Sequence, residues 1–351
     1  MRATAGSITD DMRCICMKRY LLPENGRFYK ANLHAHSTVS DGGFTPAELK
    51  ERYKANGYSV LAYTDHELLV DHSELSDPDF LAITGVEYAF VELEDYFPSR
   101  TIELNMFAKD PHNVTQVCYH PQYVIHGEKW RAPIAKRVGD LFTREYTVEC
   151  IQKVIDEAKA NGFLVSLNHP QYSMESPEFF GKLDGLFAME IYNHISFIGG
   201  VYDYNPAMYD DMLRRGKNLY CIAADDCHSG HPDVHPDCDR YGGFVMIKAE
   251  ELKYETIMEA LEKGDFYASQ GPEIHELYVE DGQVHLKCSP AKHVTMTCSW
   301  RPFGGSRNAA AGEYLTEVTF PLPNRGQTYM RFDVVDERGR HANTRAYAPE
   351  E

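Results

Sequence analysis

Two histidines one residue apart, His34 and His36, close an apolar run in the stretch LHAHSTVSDG (residues 33–42), and Asp41 follows in the turn. On a strand, side chains at i and i+2 share a face, so both imidazoles would point one way while Ala35 points the other. Imidazole beside carboxylate is a metal-ligand combination. A single HxH proves little, since a polar residue at a strand end is ordinarily just solvated.

The same residue types recur at the end of each apolar run that follows. YTDH supplies Asp65 and His66, GVE supplies Glu87, TIELN carries Glu103, and LNHP supplies His169. EIYNH then supplies Glu190, Asn193 and His194, and AADDCH supplies Asp225, Asp226 and His228. In an α/β barrel the C-terminal strand ends converge on one mouth, so ligands far apart in the chain can meet there. Glu87 in an apolar strand points the same way, because an unpaired buried carboxylate is costly. The pattern predicts a multinuclear metal site.

The elements that must position these residues are legible in outline. TPAELKERYKANG reads as a helix: Thr45 is the N-cap, Pro46 occupies the first turn, Glu48 completes a capping box, and Asn56-Gly57 ends it. TVECIQKVIDEAKANG has helical apolar spacing at Val148, Ile151, Val154, Ile155 and Ala158. KYETIMEALEKG reads as a further helix. Strands such as YSVLAYTDH, FLVSLNHP and LYCIAADDCH alternate with these helices, which implies βα units, a mainly parallel sheet and, at this length, a barrel. Residues 111–146 break the alternation as an irregular insertion, a candidate lid or binding loop. From 271 to 351 the runs are short and alternating, separated by turns, and predict a small all-β sandwich behind a barrel spanning 1–270.

Composition narrows the function. Lys and Arg number 35 against 53 Asp and Glu, a net charge of −18, which disfavours long nucleic acid as a partner. A small anionic substrate remains compatible, because bound metal inverts the local field. No run approaches a membrane span or a signal-peptide core, and the nine scattered cysteines read as free thiols, so the expected compartment is the cytoplasm. Cys14 and Cys16 form a CxC without a second cysteine pair at zinc-site spacing. Oligomeric state has no signature in the sequence.

Taken in order, HAHSTVSDG, YTDH, GVE, NHP and DDCH resemble the PHP (polymerase and histidinol phosphatase) family of metal-dependent hydrolases, over about residues 31–270. SDGGFTPAEL, ANGYSVLAYTDH and ALEKGDFYASQGPEI are similar to its carbaryl-hydrolase-like branch. The resemblance implies a distorted (β/α)7 barrel holding two or three divalent ions (zinc, manganese or iron, with magnesium possible). It implies His34, His36, Glu87 and Asp226 around one ion, Glu87 bridging to a second with His169, and Asp41, His66 and His228 around a third. The family usually has histidine where this chain has Glu103. That residue is then either an oxygen ligand, which favours manganese, iron or magnesium, or no ligand at all.

The implied activity is hydrolysis of a small phosphate monoester or nucleotide by metal-activated water. Asp65 is a candidate to orient a ligand imidazole or to transfer a proton, and Arg131, His194 and His231 are candidate cationic anchors. Two other readings stand beside this one: an amide, carbamate or ester hydrolase using the same cluster, and a non-catalytic, metal-stabilised binding module. An amidohydrolase-type barrel would add a modified lysine on a middle strand, and no strand end here offers one.

Overall fold

The computed structural model describes residues 18–301, 304–323 and 326–350; Cys14 and Cys16 lie outside them. The chain is mixed α/β around a large sheet. Strands Arg27–Asn32, Val60–Tyr63 and Leu81–Glu94 run parallel, as do Phe163–Leu167, Ala188–Asn193 and Tyr220–Ala224. The helix Pro46–Ala55 starts with the full Thr45–Glu48 capping box. Val148–Ala160 buries Ile151, Val154, Ile155 and Ala158. Tyr254–Lys263 packs Ile257 and Leu261 against Ala31, Val60 and Val245.

The regular (β/α)7 alternation is not what forms. Between the two parallel sets lies a long antiparallel hairpin, Leu81–Glu94 with Phe97–Ala108, whose second strand also pairs antiparallel with Phe163–Leu167. Its connection is Asp95–Tyr96, both at positive φ (50° and 70°), a two-residue turn that leaves no length for a crossover helix. Only a single parallel bridge, Ala35 to Cys227, joins the first and last of these strand ends.

Residues 111–146 contain two short 3-10 stretches, Pro121–Tyr123 and Lys129–Ile134, and otherwise run irregularly. They are pinned at several points. Gln116 Nε2 donates to the Glu67 carbonyl (2.8 Å) and to Tyr88 Oη (2.9 Å). Glu128 N donates to the Val39 carbonyl (2.9 Å), and beside it a Cβ on Gly127 would stand 2.0 Å from that same oxygen, so only glycine permits the approach.

Beyond Ser269 the strands are antiparallel. Ile274–Glu280, Gln283–Ala291 and Leu315–Pro321 form a four-stranded sheet whose edge is completed by Arg19–Tyr20. His293–Cys298, Gly305–Asn308, Met330–Val335 and His341–Thr344 continue the large sheet, through pairing of His341–Thr344 with Phe266–Ser269. Leu277, Leu286, Phe320, Phe332 and Val334 fill the space between the two sheets. Arg331 fastens this region to the helix Pro206–Arg214 through two 2.7 Å contacts with Asp210. No helix among the described residues is long and apolar enough to cross a membrane.

Candidate metal centre

The HAH segment is stitched into place by its own backbone. His36 N donates to Cys227 O (3.1 Å), Asp226 N to His34 O (2.9 Å), and Ala35 N to Thr64 Oγ1 (3.0 Å). This fixes the alternation. Ala35 and Cys227 pack outward against Tyr53, Tyr58 and Leu61, while His34, His36 and Asp226 turn to the opposite side. Asp226 (φ 56°), Glu67 (φ 64°) and His169 (φ 24°) occupy the left-handed region without being glycine. Strain of that kind, about 1–3 kcal/mol each, concentrates at functional sites.

His34 Nε2 and His36 Nε2 face each other at 3.1 Å. Glu87 Oε1 lies 3.2 Å from the first and Glu87 Oε2 3.2 Å from the second, and Asp226 Oδ1 is 3.1 Å from both. Glu87 Oε2 is also 3.1 Å from His66 Nδ1, and its Oε1 is 3.6 Å from His169 Nε2. The two oxygens of Glu87 therefore serve different imidazoles. Asp41 sits among His36, His66 and His228 at 3.5–3.8 Å. Glu103 Oε2 is 3.0 Å from His169 Nε2, and its carboxylate groups with His66 and Glu87. All nine residues singled out as ligands thus surround one centre, Glu103 included.

The donor set fits divalent ions. Two imidazole nitrogens and two carboxylates converge on one point, and Asp226 Oδ1 is buried there without a hydrogen-bond partner. Burial disfavours charge on His34, His36, His169, Glu87 and Asp226, yet mutual attraction outweighs it. Asp226 and Glu87 push the His36 pKa up to about 10, and His34 and His169 are likewise raised by the carboxylates around them. Asp226 and Glu87 are held well below the carboxylate range by the neighbouring histidines, His34 foremost. His228 is the exception: burial and the adjacent His36 lower its pKa.

Around the cluster stands a layer that sequence reasoning did not assign. Glu190 Oε1 lies 2.7 Å from His34 Nδ1, and its Oε2 accepts from His169 N (2.8 Å) and Asn193 Nδ2 (2.9 Å). Asn168 Nδ2 donates to Glu87 Oε1 (2.6 Å). His228 Nδ1 donates to the Asp226 carbonyl (2.9 Å), which leaves Nε2 to face the cluster. Such partners fix the tautomer and aim of a ligand imidazole. Asp225 accepts from Tyr53 Oη and from the backbone of Tyr241, Gly242 and Gly243, anchoring the strand end that carries Asp226.

Four assignments are corrected. Asp65 neither touches a ligand imidazole nor faces the cavity. Its carboxylate accepts from Ser37 N (2.8 Å), Ser37 Oγ (2.7 Å), Ser40 N (3.0 Å) and Ser40 Oγ (2.8 Å), and so shapes the turn that presents Asp41. Arg131 pairs with Glu128, beside the Trp130 ring, and is not part of the cavity wall. His194 is spent on Tyr192 Oη (2.8 Å), away from the cavity. His231 stacks on His235 at 4.1 Å on the exposed surface.

The cluster forms the floor of a cavity of about 610 Å³. The insertion contributes Tyr123, Ile125 and His126 to its wall, and the antiparallel hairpin contributes Ala89, Val91 and Pro98. The insertion is tied to the site at its end, where Arg144 pairs with Glu67 Oε2 (2.6 Å), the residue after His66.

No family model matches the chain. A 5'-3' exoribonuclease from Haemophilus influenzae is 44% identical over 62 residues, 16% of this chain. The chain spans 23% of the length of that curated relative. Among solved structures, the chain is similar to a two-domain protein from Bacteroides vulgatus containing a predicted PHP-like metal-dependent phosphoesterase. That likeness has 16% identity, 91% of this chain, 94% of that one, and a TM-score of 0.45. A putative metal-dependent phosphoesterase from Bifidobacterium adolescentis shows 18% identity over 62% of this chain and 93% of its own (TM-score 0.38). An amidohydrolase from Chromobacterium violaceum shows 15% identity over 67% and 96% (TM-score 0.40).

Proposed function

We propose that the chain is a metal-dependent hydrolase acting on small phosphate esters. The observation that carries this is the convergence of four carboxylates and five imidazoles on one cavity floor, with Glu87 turning its two oxygens to different histidines. His34, His36, Glu87 and Asp226 would hold one ion, Asp41, His66 and His228 another, and His169 with Glu103 and Glu87 a third. Divalent ions held there supply a Lewis acid for the substrate oxygen and acidify water. The protein's part is positional. Glu190, Asn168 and the Asp226 carbonyl aim the ligands.

A second reading, hydrolysis at the carbonyl of an amide, carbamate or carboxylic ester, is favoured by one observation: among the described residues, no lysine or arginine lines the cavity. A neutral carbonyl substrate needs none. The test is turnover of p-nitrophenyl phosphate, a nucleotide panel, and matched aryl acetates and carbamates by metal-loaded protein. Phosphate ester hydrolysis, lost together with bound metal in His34→Ala and Asp226→Ala, supports the first reading. Hydrolysis confined to carbonyl substrates replaces it with the second. Full metal content with no hydrolysis of any kind would make the cluster a structural scaffold.

A further inference from the structure

The walls of the cavity differ from its floor. Above the carboxylates and imidazoles the lining is Val91, Pro98, Ile125, Tyr172, Ile195 and Val201, with Thr101, Ser196 and His126 as scattered polar points. Val91, Ile125 and Tyr172 are 42%, 60% and 50% exposed, so a substantial apolar surface stands open to whatever the floor binds. Isolated apolar side chains at a surface are ordinary, but a continuous set facing a polar floor is a recognition feature.

The cations are the second half of the argument. The guanidinium of Arg144 touches two residues of the lining, Glu67 and Tyr123, and it is not free. It is paired with Glu67, buried to 2% side-chain exposure, and covered by the Tyr123 ring at 3.9 Å. Among the described residues no lysine or arginine lines the cavity, so a negative charge on a substrate finds its counter-charge at the floor, where ions would be held. A second anionic group, further out, would meet Glu67 and a largely apolar wall that, among the described residues, carries no lysine or arginine, and desolvating it there is unfavourable. Sugar hydroxyls and base edges would find few hydrogen-bond partners on the same wall.

We propose that this cavity selects esters whose non-reacting part is apolar and uncharged, an aryl or branched-alkyl group, and discriminates against sugar phosphates, nucleotides and any substrate bearing a second anionic group. This rests on the reading of the site as a metal-dependent hydrolase. It narrows that reading, because the cluster alone accepts any phosphate.

The test uses full-length, metal-loaded protein and two independent measurements. The first is kcat/KM for 1-naphthyl phosphate against ribose 5-phosphate and adenosine 3',5'-bisphosphate. The naphthyl ester should lead by a factor on the order of 100, the discrimination that an apolar pocket provides. Equal or reversed values overturn the inference while leaving the hydrolase reading intact. The second measurement needs no turnover: calorimetric binding of phenylphosphonate against phosphonoacetate, which share a phosphonate but differ in the added carboxylate. Phenylphosphonate should bind at least about 10-fold tighter, and Val91→Lys, which sets an ammonium on an exposed strand position of the wall, should narrow or invert that ratio. Indifference of the ratio in both proteins refutes the inference even if no ester is hydrolysed. Selective phenylphosphonate binding without hydrolysis would instead sustain the inference about the wall and remove the proposed activity.

Discussion

Replacing Arg144 by methionine tests how the insertion is held to the site. The Arg144 guanidinium and the Glu67 carboxylate are 2% and 6% exposed, and their contact is 2.6 Å. The guanidinium also lies over Tyr123, Tyr88 and Phe90 at 3.9, 4.6 and 5.5 Å. Methionine keeps most of that apolar packing but leaves Glu67 buried without its partner. Removing one member of a buried pair costs about 3–5 kcal/mol. At about 2.1 cal/mol/K of unfolding entropy per residue, a chain of 351 residues shifts by roughly 1.4 °C per kcal/mol, so the melting temperature should fall by about 4–7 °C. The damage should reach the cluster, because Glu67 N donates to Glu87 O (2.9 Å) and Glu67 follows His66 directly. Arg144→Met should therefore surrender metal to a chelator sooner than wild type. In a calorimetric double-mutant cycle, Glu67→Gln combined with Arg144→Met should recover part of the loss, since the uncompensated charge is then gone. A single-variant loss below about 1 kcal/mol would refute the reasoning, because it would fall in the range of an exposed pair. So would a double variant less stable than either single one.

Metal uptake at about pH 8 should release protons, because His34, His36 and His169 have raised pKa values without metal and must be neutral to ligate; titration in two buffers of different ionisation enthalpy reads the number. The sign for the metal-free fold is opposite. The stability contributed by these histidines is full below their ordinary 6.5 and fades as pH rises through about 10 for His36, so chelated protein should melt lower at high pH. A melting temperature constant over that window would contradict it. Glu190→Gln preserves shape but removes the charge 2.7 Å from His34 Nδ1, and should weaken metal affinity by about 10–100-fold by competition with a chelator. Burial raises the Cys118, Cys288 and Cys298 thiols to about 11 and Cys221 to about 12. Among the cysteines of the described residues, iodoacetamide on native protein should then label the half-buried Cys150 and Cys238 first, by peptide mapping.

Much of the site was legible because period-2 alternation is a local rule. It placed His34 and His36 on one face and Ala35 and Cys227 on the other. The same rule bears on Asp65. Adjacent strand residues point to opposite faces, so a residue next to His66 should not share its side. Glu190 also had a signal: a carboxylate inside the apolar stretch AMEIYN raises the same question as Glu87, and the answer is His34 Nδ1. The antiparallel hairpin was hidden for a different reason. Asp95–Tyr96 lacks the Asn-Gly chemistry that marks a tight turn, so two strands were visible but not their pairing. Arg131 and His194 were misassigned because partners such as Glu128 and Tyr192 Oη are set by side-chain packing, which a sequence does not display.

The charge of the cavity floor links metal content to substrate class. Asp41, Glu87, Glu103 and Asp226 contribute four negative charges, and with metal bound the histidines are neutral. Glu67 adds nothing net, since Arg144 neutralises it. Two divalent ions would bring the floor to zero, and three would make it positive by two. With no lysine or arginine in the lining among the described residues, only the second state would offer attraction to a phosphate dianion, whereas the first would suit a neutral carbonyl. Glu103 decides between them. A histidine in its place would leave three carboxylates and make the two-ion floor positive already; the glutamate makes phosphate chemistry depend on the third ion. Measured ion stoichiometry and substrate preference should therefore change together, and Glu103→Gln should let a two-ion enzyme bind phosphate better than wild type loaded with two.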